Sequence, residues 1–254
     1  MTRLTKTQIS IMQTQQYQTE GFFILENALA PELLALARDC CDAALRAAEL
    51  KRAQMPSPDN TNQKTLKSRR PDFLKLPHQS HPELDRLIFS PIMAEICRAT
   101  IGEEAYLYYD QFVVKSPRTG TTITRHQDSY YVGGPHRPYI NCWCVLDDVN
   151  EANGTVRLLS YERAGTRELL PALWTEQGKS AYRHEDPGIP VIVPAGSIAV
   201  FSSLVIHASG ANLTDQPRRV YVIQFSPEPV LDPDTQQVQW LARPFLKSGL
   251  SVFD

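Results

Sequence analysis

The sequence lacks a strong charge of either sign. Its 254 residues include 26 Lys and Arg against 28 Asp and Glu, which gives a formal net charge of −2. Proteins that bind nucleic acids usually carry a strongly basic face, so this balance argues against a nucleic-acid partner. The N-terminal stretch has no apolar segment typical of a secretory signal. No run approaches the ~20 apolar residues of a membrane span, so we expect a cytoplasmic protein without a membrane partner.

Cysteine is scarce and follows no pattern of spacing. The five residues are Cys40, Cys41, Cys97, Cys142 and Cys144. An odd count without regular spacing argues against a disulfide framework, and no second Cys or His pair completes a zinc motif. We interpret these residues as small apolar side chains of a core in a reducing compartment.

The first part of the chain has helical patterns. A weak helix is predicted to end at Gly21, a short strand follows at 22–25, and "APELLALARDCCDAALRAAEL" has the clearest apolar stripe. A further helix is expected at about 82–101. The polar segment 51–70 has no periodicity, and a lid over a site and an insertion without a role are equally good interpretations.

From residue 104 the pattern changes to short β-branched and aromatic runs separated by Gly, Pro, Asn and Asp. A helix remains an option at 167–177. Helices first and many strands afterwards predict a mainly β fold with flanking helices, either an antiparallel barrel or a sandwich. We expect one domain over 1–254, with a helical part at about 1–102 and a strand-rich core at about 103–230.

The segment "RHQD" contains a candidate metal-binding pair. Side chains two residues apart share a face of an extended chain, so His126 and Asp128 can reach one ion. A third ligand has to come from elsewhere, and His207 ends an apolar strand, where a core role is the more common one. Two His and one carboxylate suit Fe(II) with open coordination positions, although zinc accepts the same ligands. Of the other histidines, His78 and His81 lie in a turn before a helix and are expected to be exposed, whereas His136 and His184 have the pattern of loop residues.

Arg218 follows His207 along the chain, and a guanidinium near such a metal suits the far end of a dicarboxylate. The segments that carry a family resemblance are "HQD", "NCWCVLDDVNEANG", "HASGANLT" and the Pro-Arg pair that follows. In these segments the chain resembles the phytanoyl-CoA dioxygenase family of Fe(II)/2-oxoglutarate oxygenases. The early "YQTEGFFILENALAPELLALAR" is similar to the N-terminal part of that family, so the resemblance covers roughly 17–226.

The resemblance implies a double-stranded β-helix (a cupin-like jelly roll) and an oxygenase that uses Fe(II), 2-oxoglutarate and O2. His126, Asp128 and His207 would bind the metal, and Arg218 would form a salt bridge to the far carboxylate of 2-oxoglutarate. Ser209 would help to hold this cosubstrate. The expected reaction is hydroxylation of a small molecule with release of succinate and CO2. The carboxylate at position 128 favours hydroxylation over halogenation, and desaturation, epoxidation and rearrangement stay open.

The remaining predicted site residues are less specific. Trp143, Gln111 and Tyr108 are candidates for the cosubstrate pocket, and core packing is the alternative for Trp143 and Tyr108. The residues expected at the substrate side of the pocket are Tyr130, Tyr131, His136 and Arg137.

The sequence leaves open the substrate and the functional class of the protein. The family often has a Gly-Ser-His element after its Asn-Gly turn, whereas this chain has "NGTVRLLSYERAG" there, so a CoA ester is not predicted. A small metabolite of a biosynthetic pathway is expected, and the sequence does not indicate an oligomeric state. The alternatives to an iron oxygenase are a non-catalytic jelly-roll binding protein and a zinc-dependent cupin-like enzyme.

Overall fold

The computed structural model describes residues 9–54, 73–118, 122–171, 173–175, 178–180 and 185–253. The polar segment 51–70, for which a lid and an insertion were considered equally, lies outside the described residues from position 55 onwards, and so does His184. No helix in the described part of the chain is long and apolar enough to cross a membrane.

Helices cover the N-terminal part: α1 (Ile11–Glu20), α2 (Pro31–Ala53), α3 (Asp85–Ile88) and α4 (Pro91–Thr100). Helix α1 ends at Gly21, which adopts a left-handed φ of 86°. Helix α2 begins at Pro31, as the position of this proline predicts. The single helix expected at 82–101 was wrong, because Pro91 pushes Ser90 into an extended conformation and starts a new helix there.

The larger sheet consists of eight strands: β1 (Phe22–Leu25), β2 (Phe73–Lys75), β3 (Ala105–Lys115), β5 (Ile140–Val145), β10 (Ile198–Ser202), β12 (Arg218–Ser226), β13 (Arg243–Lys247) and β14 (Leu250–Ser251). Their order is β1-β10-β5-β12-β3-β13-β14, and β2 pairs with the long strand β3. The pairings are antiparallel.

The smaller sheet consists of β4 (Ile123–His126), β6 (Val156–Leu159), β9 (Ile189–Pro190) and β11 (Ile206–Ser209). Their order in the sheet is β4-β11-β6-β9. A short helix α5 (Tyr161–Ala164) follows β6, and a hairpin of β7 (Leu173–Thr175) and β8 (Gly178–Ser180) lies next in the chain. Residues 173–175 form a strand, so the helix considered at 167–177 was wrong there.

The larger sheet is covered on both faces. Cys142 and Cys144 of β5 point to the face that packs with the helices, where Cys40 and Cys97 also lie. Trp143 lies between them in sequence and points to the opposite face, towards β6 of the smaller sheet. A strand buried on both faces is apolar throughout, which explains the run "INCWCV". The predicted role of the cysteines as core side chains agrees with their burial as free thiols.

Strands from both ends of the chain join the larger sheet. Strands β1 and β2 precede the predicted strand-rich core at 103–230, and β13 and β14 follow it. This shared sheet supports the prediction of one domain. The mainly β architecture with flanking helices is confirmed.

Candidate metal and cosubstrate site

Three side chains converge between the smaller sheet and the turn that follows β4. His126 ends β4, and His207 lies directly opposite it on β11. Asp128 begins a 3₁₀ turn, and Gln127 between them is extended, with φ −114° and ψ 135°. This backbone places His126 and Asp128 on one face, as their spacing predicts. One ligand atom from each of the three residues lies within 4.8 Å of the others.

Each imidazole is oriented by a backbone carbonyl. Nδ1 of His126 lies 2.8 Å from the oxygen of Thr124, and Nδ1 of His207 lies 3.0 Å from the oxygen of Val205. Because a carbonyl only accepts, each Nδ1 carries the proton and each Nε2 keeps its lone pair. The two Nε2 atoms lie 3.4 and 3.7 Å from Oδ1 of Asp128, so the three donors face one point.

The electrostatics favour a carboxylate at Asp128 and a neutral imidazole at His207. Burial opposes protonation of His126, but the neighbouring Asp128 outweighs it and raises the pKa of this imidazole above its usual value. Burial and the neighbouring His126 lower the pKa of His207 to about 4. Burial opposes the ionisation of Asp128, but His207 and His126 outweigh it and hold the pKa of this carboxyl below its usual value. A neutral His207 and an ionised Asp128 are the forms that bind a metal ion, and His126 binds one as the neutral ring.

The middle residue of "HQD" has a structural role. Gln127 is fully buried, and its amide donates to the carbonyl oxygens of Glu168 and Leu204. Its side-chain oxygen accepts from the backbone N–H of Leu170. The amide thereby fixes the backbone between the two ligands to the neighbouring loops.

The three donors lie at a cavity of about 290 Å³ between the sheets. Arg218 lines this cavity and is 1% exposed, with its guanidinium carbon 5.6 Å from the ring centre of Trp143. Ser209 lines it too, and its buried Oγ has no hydrogen-bond partner among the described residues. A hydroxyl of this kind fits a bound group with polar oxygens, since buried polar atoms are rarely left without a partner.

Arg219 faces away from the cavity. Its guanidinium donates to both carboxylate oxygens of Asp147, at 3.0 and 2.7 Å, and to Asp42 at 2.6 Å. Neighbouring residues of a strand point to opposite faces, so only one of the two arginines can reach the cavity. Arg218 is the one that lines the cavity, and its role towards 2-oxoglutarate stays a prediction.

The other predicted cosubstrate residues line the cavity as well. The lining residues include Trp143, Gln111 and Tyr108. Tyr108 also packs against Tyr139, with ring centres 4.9 Å apart, and donates its hydroxyl to Gln239 at 2.7 Å. Tyr108 therefore combines a packing role with exposure to the cavity.

The residues predicted for the substrate side divide into two groups. Tyr131 lines the cavity, with its ring 5.9 Å from that of His126. Tyr130, His136 and Arg137 are not among the described residues that line it. Nε2 of His136 lies 3.0 Å from Oγ of Ser129. The geometry gives no support to a substrate role for these three residues, which stays a prediction.

Asn141 is a cavity residue that sequence reasoning missed. Its amide hydrogen-bonds Asp128 and helps to hold the carboxyl pKa low. Its Oδ1 accepts from Nε2 of Gln224 at 2.7 Å, and its amide nitrogen, which donates to the carbonyl oxygen of Phe201 at 3.5 Å, has a second N–H for Asp128. The available signal was its position two residues before Trp143 in a strand, on the same face.

The family model of phytanoyl-CoA dioxygenase (PhyH) matches residues 17–220. The chain belongs to this family. An ectoine dioxygenase of Bordetella parapertussis is 25% identical over 89% of this chain and 78% of its own length. Phytanoyl-CoA dioxygenase domain-containing protein 1 of Danio rerio is 24% identical over 57% of this chain and 53% of its own.

Solved structures show the same fold. EvdO2 from Micromonospora carbonacea var. aurantiaca, in complex with 2-oxoglutarate, has a TM-score of 0.67 at 22% identity and covers 94% of both chains. The α-ketoglutarate-dependent carbocyclase SnoK from nogalamycin biosynthesis has a TM-score of 0.66 at 17% identity and covers 96% of both. The predicted cupin-like jelly roll is thereby confirmed.

As a phytanoyl-CoA dioxygenase family member, the protein is a non-haem Fe(II)- and 2-oxoglutarate-dependent dioxygenase that uses O2 and acts on a small molecule. The predicted activity and cofactors are confirmed. Neither a non-catalytic binding protein nor a zinc enzyme is supported by the comparisons.

The Asn-Gly turn of the family pattern has a structural reason in this chain. Gly154 has φ +74°, and a Cβ on it would lie 2.5 Å from the carbonyl oxygen of Gly210. Only glycine fits both constraints. The oxygen of Gly154 accepts from Nη2 of Arg218 at 3.1 Å. The turn therefore helps to place the guanidinium at the cavity.

Proposed function

We propose that His126, Asp128 and His207 hold the Fe(II) of this dioxygenase. The observation that carries the proposal is the convergence of three ligand atoms within 4.8 Å at a cavity between the sheets. Two imidazoles and one carboxylate on one side of an ion leave positions open on the other. The fixed Nδ1 protons keep the donor set ready before the metal binds.

The second part of the proposal concerns 2-oxoglutarate. Arg218 pairs with its far carboxylate, and the Ser209 hydroxyl donates to the same group. Both side chains are buried and line the cavity, so a dicarboxylate there meets a charge shielded from water. Trp143 forms the wall beside the guanidinium, and Gln111 and Tyr108 complete the pocket.

Bound Fe(II) and 2-oxoglutarate supply the oxidising chemistry of the family, in which 2-oxoglutarate and O2 give succinate and CO2 as a C–H bond of the substrate is oxidised. The protein orients the reactants and limits water access. Asp128 adds one negative charge and fills a ligand position, which favours hydroxylation over halogenation. Desaturation, epoxidation and rearrangement are compatible with the same side chains.

The substrate is a small molecule. A cavity of about 290 Å³ is at the low end of ligand pockets, and it also has to accept 2-oxoglutarate. We do not propose a CoA ester. We also propose that the chain is a single domain and works in the cytoplasm, where its five buried thiols would stay reduced.

Anaerobic titration with Fe(II) and 2-oxoglutarate tests the site. A visible charge-transfer band should form with the wild type and be lost in His207→Ala, while Zn(II) gives no band. Admission of O2 should then convert 2-oxoglutarate into succinate in the Fe(II) sample alone. Equal bands in the wild type and His207→Ala would rule out the assigned ligands. Turnover with Zn(II) would favour the zinc enzyme, and binding without turnover would favour a binding protein.

A further inference from the structure

Exposed aromatic side chains surround the opening of the cavity. Phe73, Tyr131 and Trp240 line the cavity and are 44%, 55% and 46% exposed. They come from β2, from the turn after Asp128 and from the segment between β12 and β13. Clustered apolar side chains that a fold leaves in water commonly mark a binding surface. Here the surface continues directly into the proposed metal site.

The segment that carries Trp240 is held in place on both sides. Gln239 accepts from the hydroxyl of Tyr108 at 2.7 Å and donates to the carbonyl of Val132 at 3.0 Å. The N–H of Leu241 donates to the backbone oxygen of Tyr108 at 3.1 Å. These bonds tie the segment to β3 and to the turn after the proposed metal ligands. It lies beyond residue 220, where the family match ends, so it is a place where this chain can differ from its relatives.

Among the described residues at the opening, the charged side chain is a cation. Lys75 lines the cavity, with Nζ 5.5 Å from the ring centre of Trp240, and Tyr109 meets the same ring edge-on at 5.0 Å. Among the described residues that line the cavity, Asp128 is the one acidic side chain, and the proposed function gives it to the metal. A second cation beside Trp240 would be repelled by Lys75, whereas an anion would be attracted.

The size of the cavity puts the substrate at this opening. Fe(II) and 2-oxoglutarate occupy the part near Arg218 in the proposed function, and about 290 Å³ leaves little further room there. A substrate next to the metal must then extend between Trp240, Tyr131 and Phe73. Aromatic side chains make the largest contact area with a planar ligand, because stacked rings contact each other over their whole face.

We propose that the segment 238–241 forms the specificity side of the opening, and that Trp240 and Lys75 select a planar ring substrate that is anionic or neutral. This inference rests on the proposed function, because it takes the floor of the cavity to be filled by Fe(II) and 2-oxoglutarate. Trp240 would contact the ring face, and Lys75 would attract an acidic group at its edge.

Isothermal titration calorimetry on the anaerobic protein with Fe(II) and 2-oxoglutarate tests this proposal with four matched probes. They are 2-naphthoate, its neutral amide, the cationic 2-naphthylmethylammonium, and decahydro-2-naphthoate, which keeps the charge but is not flat. We expect 2-naphthoate to bind most tightly, the amide somewhat less, and the other two roughly tenfold or more weakly, a difference of about 1.4 kcal/mol.

Single-residue variants separate the contributions of Trp240 and Lys75 to binding. Trp240→Ala should weaken 2-naphthoate about tenfold, and Trp240→Phe should keep most of the affinity because a flat ring remains. Lys75→Met should remove the advantage of the anion over the amide and leave the amide unchanged. Leu250→Ala, an exposed position in β14 of the same C-terminal part, is the matched control and should bind all probes as the wild type does.

The charge-transfer band separates failure of this proposal from failure of the proposed function. If the band forms but the cation or the non-planar acid binds as well as 2-naphthoate, or if no probe binds, the specificity proposal is wrong and the metal site stands. The same conclusion follows if Trp240→Ala and Trp240→Phe both bind as the wild type. If the wild type forms no band, the proposed function fails, and the inference that rests on it fails too.

Discussion

His207 lies directly opposite His126 in the antiparallel pair of β11 and β4, with ring centres 4.2 Å apart. Two strands distant in sequence thus present their imidazoles to one point, and Asp128 closes the triangle from the turn that follows β4. A shift of one residue in this pairing would turn one imidazole to the other face of the sheet. The strand register is therefore the main determinant of the proposed metal site.

The first prediction concerns these imidazoles. His126→Ala and His207→Ala should each lose most Fe(II) affinity but keep the fold, because each change removes one donor at a cavity wall and no core side chain. Metal titration with circular dichroism of the same samples measures both effects. His136→Ala, outside the cavity, should bind iron normally. Full iron binding and turnover by either ligand variant would contradict the assignment.

The second prediction compares two neighbouring arginines. Arg218→Ala should weaken 2-oxoglutarate binding by roughly 3–5 kcal/mol, because a buried charged pair is broken. Arg219→Ala should leave 2-oxoglutarate binding nearly unchanged and instead lower the free energy of unfolding, by about 1–3 kcal/mol, through loss of its bonds to Asp147 and Asp42.

Steady-state kinetics and chemical denaturation separate these effects. A large rise in the KM for 2-oxoglutarate in Arg219→Ala, with a normal value in Arg218→Ala, would show that the arginine facing the cavity has been assigned incorrectly.

Much of the site could be predicted because its ligands follow strand geometry. The spacing of His126 and Asp128 requires only an extended Gln127 between them, and Gln127 is extended. The choice of His207 over the other histidines, and of Arg218 over Arg219, came from the family resemblance. Pleat alone shows that neighbouring arginines point to opposite faces, but not which face is inside.

Other features depend on tertiary contacts that have no local signal. His78 was expected to be an exposed loop residue, yet its Nδ1 lies 2.5 Å from the carboxylate of the buried Asp110. Trp240 reaches the cavity because Gln239 hydrogen-bonds both Tyr108 and Val132, and no sequence pattern predicts such a bridge. Asn141 was hidden inside an apolar run, where its polar side chain is satisfied by Gln224 and Asp128.

The third prediction follows from Asn141. Asn141→Ala should weaken Fe(II) binding by about 10–100-fold, because removal of a group that hydrogen-bonds a metal ligand costs this much in other metal sites. Competition with a metal chelator measures the affinity. Asn141→Asp should be worse, since a second carboxylate beside Asp128 adds repulsion and cannot donate. If Asn141→Ala binds iron as tightly as the wild type, the hydrogen bond to Asp128 has no part in holding the metal.

The last prediction concerns Asp128 and the type of reaction. Its carboxylate is expected to fill one ligand position and to add a negative charge beside the two imidazoles. Asp128→Gly should empty that position and weaken metal binding, while His126, His207 and bound 2-oxoglutarate still retain some iron. Chloride can then compete for the vacated position, whereas in the wild type the carboxylate excludes it.

Mass spectrometry of the products, with and without excess chloride, checks this expectation once a substrate is found. The wild type should give an oxygenated or desaturated product with succinate and no chlorinated product at any chloride concentration. Asp128→Gly should lose most hydroxylation and give at most traces of halogenation, because the cavity walls around it are unchanged. A chlorinated product from the wild type would overturn the hydroxylase assignment. Unchanged hydroxylation by Asp128→Gly would show that Asp128 is not a ligand, and the negative charge near the two imidazoles would then need another role.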